Sequence, residues 1–302
     1  MLQQNTTENE RVEVLVRAST KLSLARTLLR FARTKPLGAI GAAITITLIL
    51  IAVLAPVISP ADPYKTNASN VYATPGGDFI LGSDDVGRDV MSRLFFGARV
   101  SLYVGMVSVA VGISLGTLIG VLSGFIGGKL DLGFQRIVDS FIAFPTIILA
   151  LAIMAALGSS LNNVIIALIF VLAPGTARTI RSQVLSIREL DYVLAARAIG
   201  APSSRIVLRH ILPNIAAMYI ILVTIQLGLA ITTEASLSFL GVGVPPDVPS
   251  WGGMLTVAAE SFHGVAPWLA IFPGVAIALS VFGVNLLGDA LRDVLDPKLR
   301  GR

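Results

Sequence analysis

The chain has 302 residues, 54% of them hydrophobic and only 14% charged, against about 25% charged in an ordinary soluble domain. It has no cysteine, which excludes disulfides, thiolate metal sites and a cysteine nucleophile. The net charge of +5 does not point to nucleic acid, because the basic residues flank long uncharged runs, as the positive-inside bias arranges them.

Residues 1–36 form a tail that begins polar. Within it, 22–34 has apolar residues at helical spacing with Arg26, Arg30 and Arg33 among them. Both a short amphipathic helix on the inner membrane face and a solvated basic tail fit this pattern. Residues 37–58 are 22 uncharged residues in a row. As a helix they span about 33 Å, enough to cross a hydrocarbon core of about 30 Å. The run is longer than the roughly 7–15 apolar residues of a signal peptide, so it reads as a retained first span.

Residues 59–99 are rich in Pro, Gly and Asp, including Asp62, Asp78, Asp84, Asp85 and Asp89. They are too polar for lipid and too long for a turn, which predicts an extramembrane segment with structure of its own. The second span is expected over 100–126. In it Gly112, Gly116, Gly120 and Gly124 recur every four residues, and Ser108 extends the row. That spacing puts small residues on one face for close helix packing. The third span is expected over 137–157, kinked at Pro145. The fourth runs from 161 to about 177, through Pro174-Gly175. Residues 178–214 read as a basic loop, 215–240 as the fifth span, 241–266 as a Pro/Gly-rich loop without Lys or Arg, 267–287 as the sixth span, and 288–302 as a charged tail.

The expected fold is therefore an all-α membrane protein with six transmembrane helices and both termini on one side. Of the 23 Lys and Arg, 19 fall on the side of the termini; the other side has only Lys65, Arg88, Arg93 and Arg99. This distribution predicts cytoplasmic termini, with 1–36 and 289–302 as cytoplasmic tails, 59–99 extracytoplasmic, and a five-helix core over 100–288.

The basic loop 178–214 contains more than a topology signal. Residues 191–199 read as a short helix with Tyr192, Ala195, Ala196 and Ile199 on one face. Gly200 is the expected helix stop. Ser203 or Ser204 can cap a second helix, 205–212, ending before Pro213. Such a helix–turn–helix exposes small residues and a basic edge of Arg197, Arg205 and Arg209, a docking knob for a soluble partner; a plain solvated loop is the alternative. A DNA-reading helix–turn–helix is poorly compatible with a hairpin tied to the bilayer at both ends.

The stretch Tyr192-Val-Leu-Ala-Ala-Arg-Ala-Ile-Gly200 through Arg209-His-Ile-Leu-Pro-Asn214 resembles the "EAA" loop of ABC-importer permeases. Leu194 stands where the name-giving Glu usually is, which removes the residue that makes that polar contact and leaves the fit of the helix. Three further segments resemble the peptide/nickel branch of the same family: Leu81 to Arg99, Glu234 to Pro246 followed by Pro249-Ser-Trp-Gly-Gly253, and Asn285 to Pro297. The resemblance covers nearly the whole chain. It implies a type-I ABC-importer permease fold and a homologous permease as heterodimer partner. It also implies two ATPase subunits that bind ATP and Mg²⁺, an extracytoplasmic solute-binding protein, and a cell-membrane location. Under it, Tyr192, Leu194, Ala195, Ala196, Arg197, Gly200, Arg205 and Pro213 couple the chain to the ATPase. The implied cargo is di- or oligopeptide, with nickel or another small solute as the alternative.

No cofactor is expected on this chain, and no catalytic or metal-binding residue. Gly128-Lys129 is not a P-loop: Ser123 stands where its first Gly would fall, and Leu130 replaces the Ser/Thr. His210 and His263 are the only histidines. Gln226 and Glu234 are the candidates for a solute path or outer gate. Glu234, expected near the outer end of the fifth span, is an ionisable residue at membrane depth. Lining the path and a structural tie to a donor in the neighbouring loop are both open, the tie being favoured because an interfacial site makes burial cheap. An ATP-independent secondary transporter would need more such residues and an internal repeat.

Overall fold

The computed structural model describes residues 31–260 and 266–295. Among them the regular structure is helical: α1 (Pro36–Ile58), α2 (Val90–Ile126), α3 (Gly128–Ile142), α4 (Thr146–Leu157), α5 (Leu161–Ile187), α6 (Asp191–Ala198), α7 (Ser203–Ile206), α8 (Leu212–Phe239), α9 (Trp251–Glu260) and α10 (Trp268–Leu295). The expected amphipathic segment 22–34 lies outside the described residues except for its last turn, 31–34, which is helical.

Five helical stretches are long and apolar enough to cross a bilayer: α1, α2, α5, the continuous run Ser203–Phe239, and α10. The pair α3 and α4, bent by 93° at the break between them, makes a sixth when counted as one broken span. Pro145 was expected to kink this span; instead the helix breaks at residues 143–145, and Pro145 caps α4 without a side-chain hydrogen bond. Several boundaries also move. The second span begins at Val90, where Asp89 caps α2 by accepting from the Ser92 N–H. At 37 residues α2 is about 56 Å long, so it projects well beyond the hydrocarbon. The fourth span does not stop near residue 177 but runs to Ile187, through Pro174. Arg178, Arg181 and Ile187 are thus helical rather than part of a loop.

The row of small residues on α2 lies against α5, and these two helices form the most extensive pair in the bundle. A Cβ at Gly116 would stand 2.5 Å from the Ala173 carbonyl oxygen, and one at Gly120 2.6 Å from that of Ala177. At Gly112 and Gly124 the nearest atoms are at 3.3 and 3.1 Å. Only hydrogen allows these backbones so close. α1 docks on α10 in the same way: a Cβ at Gly41 would sit 2.6 Å from the Gly283 carbonyl oxygen. Lys35 pairs with Asp293 at 2.6 Å where this helix pair ends.

Residues 59–89 have structure of their own, while 90–99 belong to α2. Asp84 accepts from Val86 N–H, Arg88 N–H and Arg88 Nε at 3.1, 2.8 and 2.6 Å, while Arg93 donates to the Pro63 carbonyl at 3.3 Å. Trp268 Nε1 donates to the Ser83 carbonyl at 3.2 Å, which ties the segment to α10. The region 241–266, read from its Pro and Gly content as a loop, contains α9. Trp251 is buried against Gly97, where a Cβ would lie 3.0 Å from the indole. Gly252 brings the backbone of α9 onto α8, with a Cβ there only 2.4 Å from the Ala235 carbonyl oxygen.

Candidate coupling site

α6 is short and amphipathic. Val193 and Ala196 face inward, into an apolar cluster with Val121 of α2, Ile180, Val184 and Ile187 of α5, and Ile206, Ile211 and Ile215. Tyr192, Leu194 and Ile199 are exposed, Ile199 to 85%, and Ala195 is exposed beside them. The outer face is therefore Tyr192, Leu194, Ala195, Arg197 and Ile199. Ala196, expected on that face, instead anchors the helix from behind, because α6 rests on α5 rather than standing free.

The helix stops as its sequence predicts. Gly200 has φ +79°, its N–H donates to the Arg197 carbonyl at 3.0 Å, and the Ala201 N–H donates to that of Ala196 at 3.1 Å. This is a Schellman ending, which a side chain at the left-handed position would strain.

The second helix departs from expectation. Pro202, not Ser203 or Ser204, precedes it, and no side chain caps it. It does not end before Pro213 but passes through a π turn, Val207–Ile211, into α8. The reason is local. Pro213 has no N–H to continue the i−4 ladder, and a wider turn re-pairs the chain, with Leu212 N–H donating to the Val207 carbonyl. Asn214 Nδ2 then bonds the His210 carbonyl at 2.6 Å. The ring of His210 packs near Tyr192, centroids 5.9 Å apart. The second helix of the pair is thereby continuous with the span α8.

A polar latch that sequence reasoning missed holds α3 beneath this unit. Arg181 of α5 donates to both oxygens of Asp131 on α3, at 2.7 and 2.6 Å. Ser123 of α2 also donates to Asp131, and Gln135 Nε2 donates to Ser123 at 3.0 Å. Two turns along α3, Asp139 pairs with Arg178, while Arg188 bonds the Gly124 carbonyl at 2.9 Å. The available signal was spacing: Arg178 and Arg181 are one turn apart, Asp131 and Asp139 about two. It becomes readable only once α5 is known to extend past residue 177. Asp131→Leu is expected to leave Arg181 unpaired. Because the Arg181 side chain is 29% exposed, its charge reaches solvent. The stability loss should be about 1–2 kcal/mol rather than the 3–5 of a fully buried pair. Thermal unfolding in detergent, with Arg181→Leu and the double variant completing the cycle, measures the coupling. A double variant as unstable as the sum of the singles would deny it.

Glu234 is completely buried, near the end of α8. Oε1 accepts from Ser238 Oγ at 2.9 Å, and Ser238 Oγ accepts from the Val244 N–H in the following loop at 3.2 Å. Ser101 of α2 flanks the same carboxyl and accepts from the Trp251 N–H of α9 at 3.4 Å. In this conformation Glu234 joins α2, α8 and the start of α9, and its side chain is closed to solute. Gln226 opens instead into a cavity of about 220 Å³ at the break between α3 and α4. Phe141, Phe144, Thr146, Pro174 and Leu229 also line it.

A bundle of apolar spans with an exposed helical pair whose second helix runs on into one of them is the architecture of a membrane permease. The comparisons with known proteins agree. Residues 116–301 match the model of the binding-protein-dependent transport system inner membrane component. Residues 23–75 match the N-terminal TM domain of oligopeptide transport permease C. The chain belongs to the family of binding-protein-dependent transport system inner membrane components. It is 41% identical over 281 residues to the dipeptide transport system permease protein DppC of Alkalihalophilus pseudofirmus, covering 93% of this chain and 92% of that one. It is 38% identical over 275 residues to the oligopeptide transport system permease protein OppC of Bacillus subtilis, covering 90% and 89%. With the glutathione transport system permease protein GsiD of Escherichia coli O6:K15:H31 it shares 41% over 270 residues, covering 89% of each. In three dimensions it resembles a chain of the inward-facing MetNI methionine ABC transporter, with TM-score 0.57 and 21% identity over 68% of this chain and 97% of that one. The fold is that of a type-I ABC importer permease.

Proposed function

We propose that the chain is one permease of a heterodimeric, ATP-driven importer of di- or oligopeptides. It binds no nucleotide itself. Two partner ATPases hydrolyse ATP with Mg²⁺, an extracytoplasmic binding protein delivers the peptide, and a second, homologous permease completes the path. The observation that carries this reading is the α6 elbow. It presents an apolar, partly basic face, is packed on α5, and is linked through the turn at Gly200 to the helical run Ser203–Phe239 that contains α8. A push on α6 therefore moves two spans as a lever. Tyr192, Leu194, Ala195, Arg197 and Ile199 make the contact; Ala196 and Gly200 hold its shape; Arg205 extends its basic edge, and Pro213 sets the π turn. The charge asymmetry supports cytoplasmic termini and a cytoplasmic α6. The relatives described as permeases of dipeptide, oligopeptide and glutathione systems support peptide over nickel. Gln226 is the residue of this chain proposed to face the solute, from the cavity at the α3–α4 break, while Glu234 holds the outer end in place.

The test is co-purification of the tagged chain with a stoichiometric P-loop ATPase, together with ATP-dependent uptake of a labelled dipeptide into vesicles. Uptake that ignores ATP and follows the proton gradient would favour a secondary transporter and sink the proposal. A reporter fused after Arg302 that works only outside the cytoplasm would reverse the orientation.

A further inference from the structure

α3 is held to the bundle mainly by polar groups. Of its 15 residues only Asp131 and Val138 are buried, and none belongs to the apolar clusters of the described residues. Its grip is a pair of carboxylates. Asp131 takes a two-pronged bond from Arg181, and Asp139, about two turns on, pairs with Arg178. Both arginines belong to α5. Both ends of α3 can pivot. At its start Gly127 and Gly128 stand at φ +72° and +61°, the left-handed region that glycine enters freely. A Cβ at Gly128 would meet nothing within 4 Å. At the other end the helix breaks at residues 143–145 and the chain turns by 93°. That end of α3 forms one wall of the cavity of about 220 Å³ into which Gln226 opens, through Phe141, Ile142 and, in the break, Phe144. Phe141 also stacks on Phe170 of α5, ring centroids 5.8 Å apart.

The grip on α3 and the seat of α6 share one helix. Arg181 lies between Ile180 and Val184, two of the α5 residues that pack behind α6. Ser123, which also holds Asp131, follows Val121 of the same cluster by two residues. A displacement of α6 that shifts α5 therefore reaches the Arg181–Asp131 pair within one helical turn. The pairs are weak enough to exchange, because solvent reaches them: the Arg178 and Asp139 side chains are 52% and 47% exposed, and that of Arg181 is 29% exposed. A helix with two hinges, a polar catch and little buried apolar surface can swing as a rigid body. We propose that α3 is a gate on the solute cavity, latched to α5 through Asp131–Arg181 and Asp139–Arg178 and released when the ATPases displace α6. The assignment rests on the solute path proposed for Gln226 and adds to it a moving wall.

The chain has no cysteine, so labels can be placed one by one. In the assembled importer, with its ATPases, Gly133→Cys and Ser182→Cys, both exposed, would carry spin labels on α3 and α5. Pulsed dipolar spectroscopy should show two distances that differ by about 5 Å, one helical turn. Their populations should exchange between the nucleotide-free and the ATP-trapped states. Asp131→Asn with Asp139→Asn should shift the nucleotide-free population about tenfold toward the longer distance, the combined worth of two solvent-reached ion pairs. Asp139→Arg alone should lengthen the distance too, and adding Arg178→Asp should bring the short one back, a rescue that a merely structural carboxylate would not give. A short bismaleimide joining Asp139→Cys to Arg178→Cys should cut ATP-driven dipeptide uptake about tenfold against the same variant unlinked, with the ATPases still bound. One distance in every nucleotide state, or uptake indifferent to the crosslink, would overturn the gate while leaving ATP-driven uptake in place. Uptake that needed no ATP would overturn the importer reading, and the gate with it.

Discussion

Replacing Ala195 and Ile199 together by aspartate is expected to abolish transport while leaving the chain folded in the membrane. Both side chains are exposed on α6, Ile199 to 85%, so neither change removes internal packing. Large apolar side chains outside lipid are unusual enough to mark a contact surface. Anchors at the centre of an interface typically cost 2 kcal/mol or more when lost. A loss of about 3–4 kcal/mol for the pair would weaken ATPase binding by two to three orders of magnitude. Peptide uptake into vesicles and recovery of the ATPase on the tagged permease would both fall together. ATPase recovery and uptake within twofold of the parent would remove α6 as the coupling surface. The inward residues provide the contrast. Val193→Asp puts a charge into the cluster of Ile180, Val184 and Ile206, and should lower the amount of folded permease as well as its coupling.

Gly120→Leu is expected to have the largest effect on stability. A Cβ at this position would stand 2.6 Å from the Ala177 carbonyl oxygen, 2.9 Å from Ile180 Cβ and 3.0 Å from the Arg181 nitrogen. Two of these are backbone atoms of α5 and cannot swing aside. Relief requires moving α2 away from α5, which loosens the cluster that seats α6 from behind and the neighbouring Asp131–Arg181 pair. Overpacking of this kind costs typically 1–3 kcal/mol, and a full leucine at a backbone-to-backbone crossing should reach the upper end. The midpoint of thermal unfolding in detergent should drop and the yield of monodisperse permease fall several-fold. Gly133→Leu is the control: nothing lies within 4 Å of a Cβ there, so its effect should stay within about 0.5 kcal/mol. If the two variants unfolded alike, the close approach of α2 and α5 would not be what the glycine row is for.

Much of the architecture was legible because it is written in local pattern. Uncharged runs longer than a bilayer crossing mark the spans, whatever their neighbours do. The four-residue glycine period marks one face of α2, since helical geometry alone puts those residues in line. Gly200 ends α6 because the left-handed position is a property of the residue. The face of α6 was only partly legible. Its period was visible, but Ala196 turned inward because α5 extends beneath it.

The rest depended on contacts distant in sequence. Pro and Gly in 241–266 argued for a loop, yet α9 forms because Trp251 finds the space left by Gly97, about 150 residues earlier, and Gly252 finds the backbone of α8. Pro213 argued for a helix end, but a π turn carries the chain past it into the span. The Arg178 and Arg181 side chains read as topology charges until Asp139 and Asp131 came to meet them from α3. By itself, then, the sequence determined which segments cross the membrane and where an exposed elbow must fall. It could do so because hydropathy and helical period act within one segment. Only the tertiary structure decided that α6 is seated on α5, that the run Ser203–Phe239 passes Pro213 unbroken, and that Glu234 is sealed between three helices. Each of these is a relation between segments that no single stretch of residues contains.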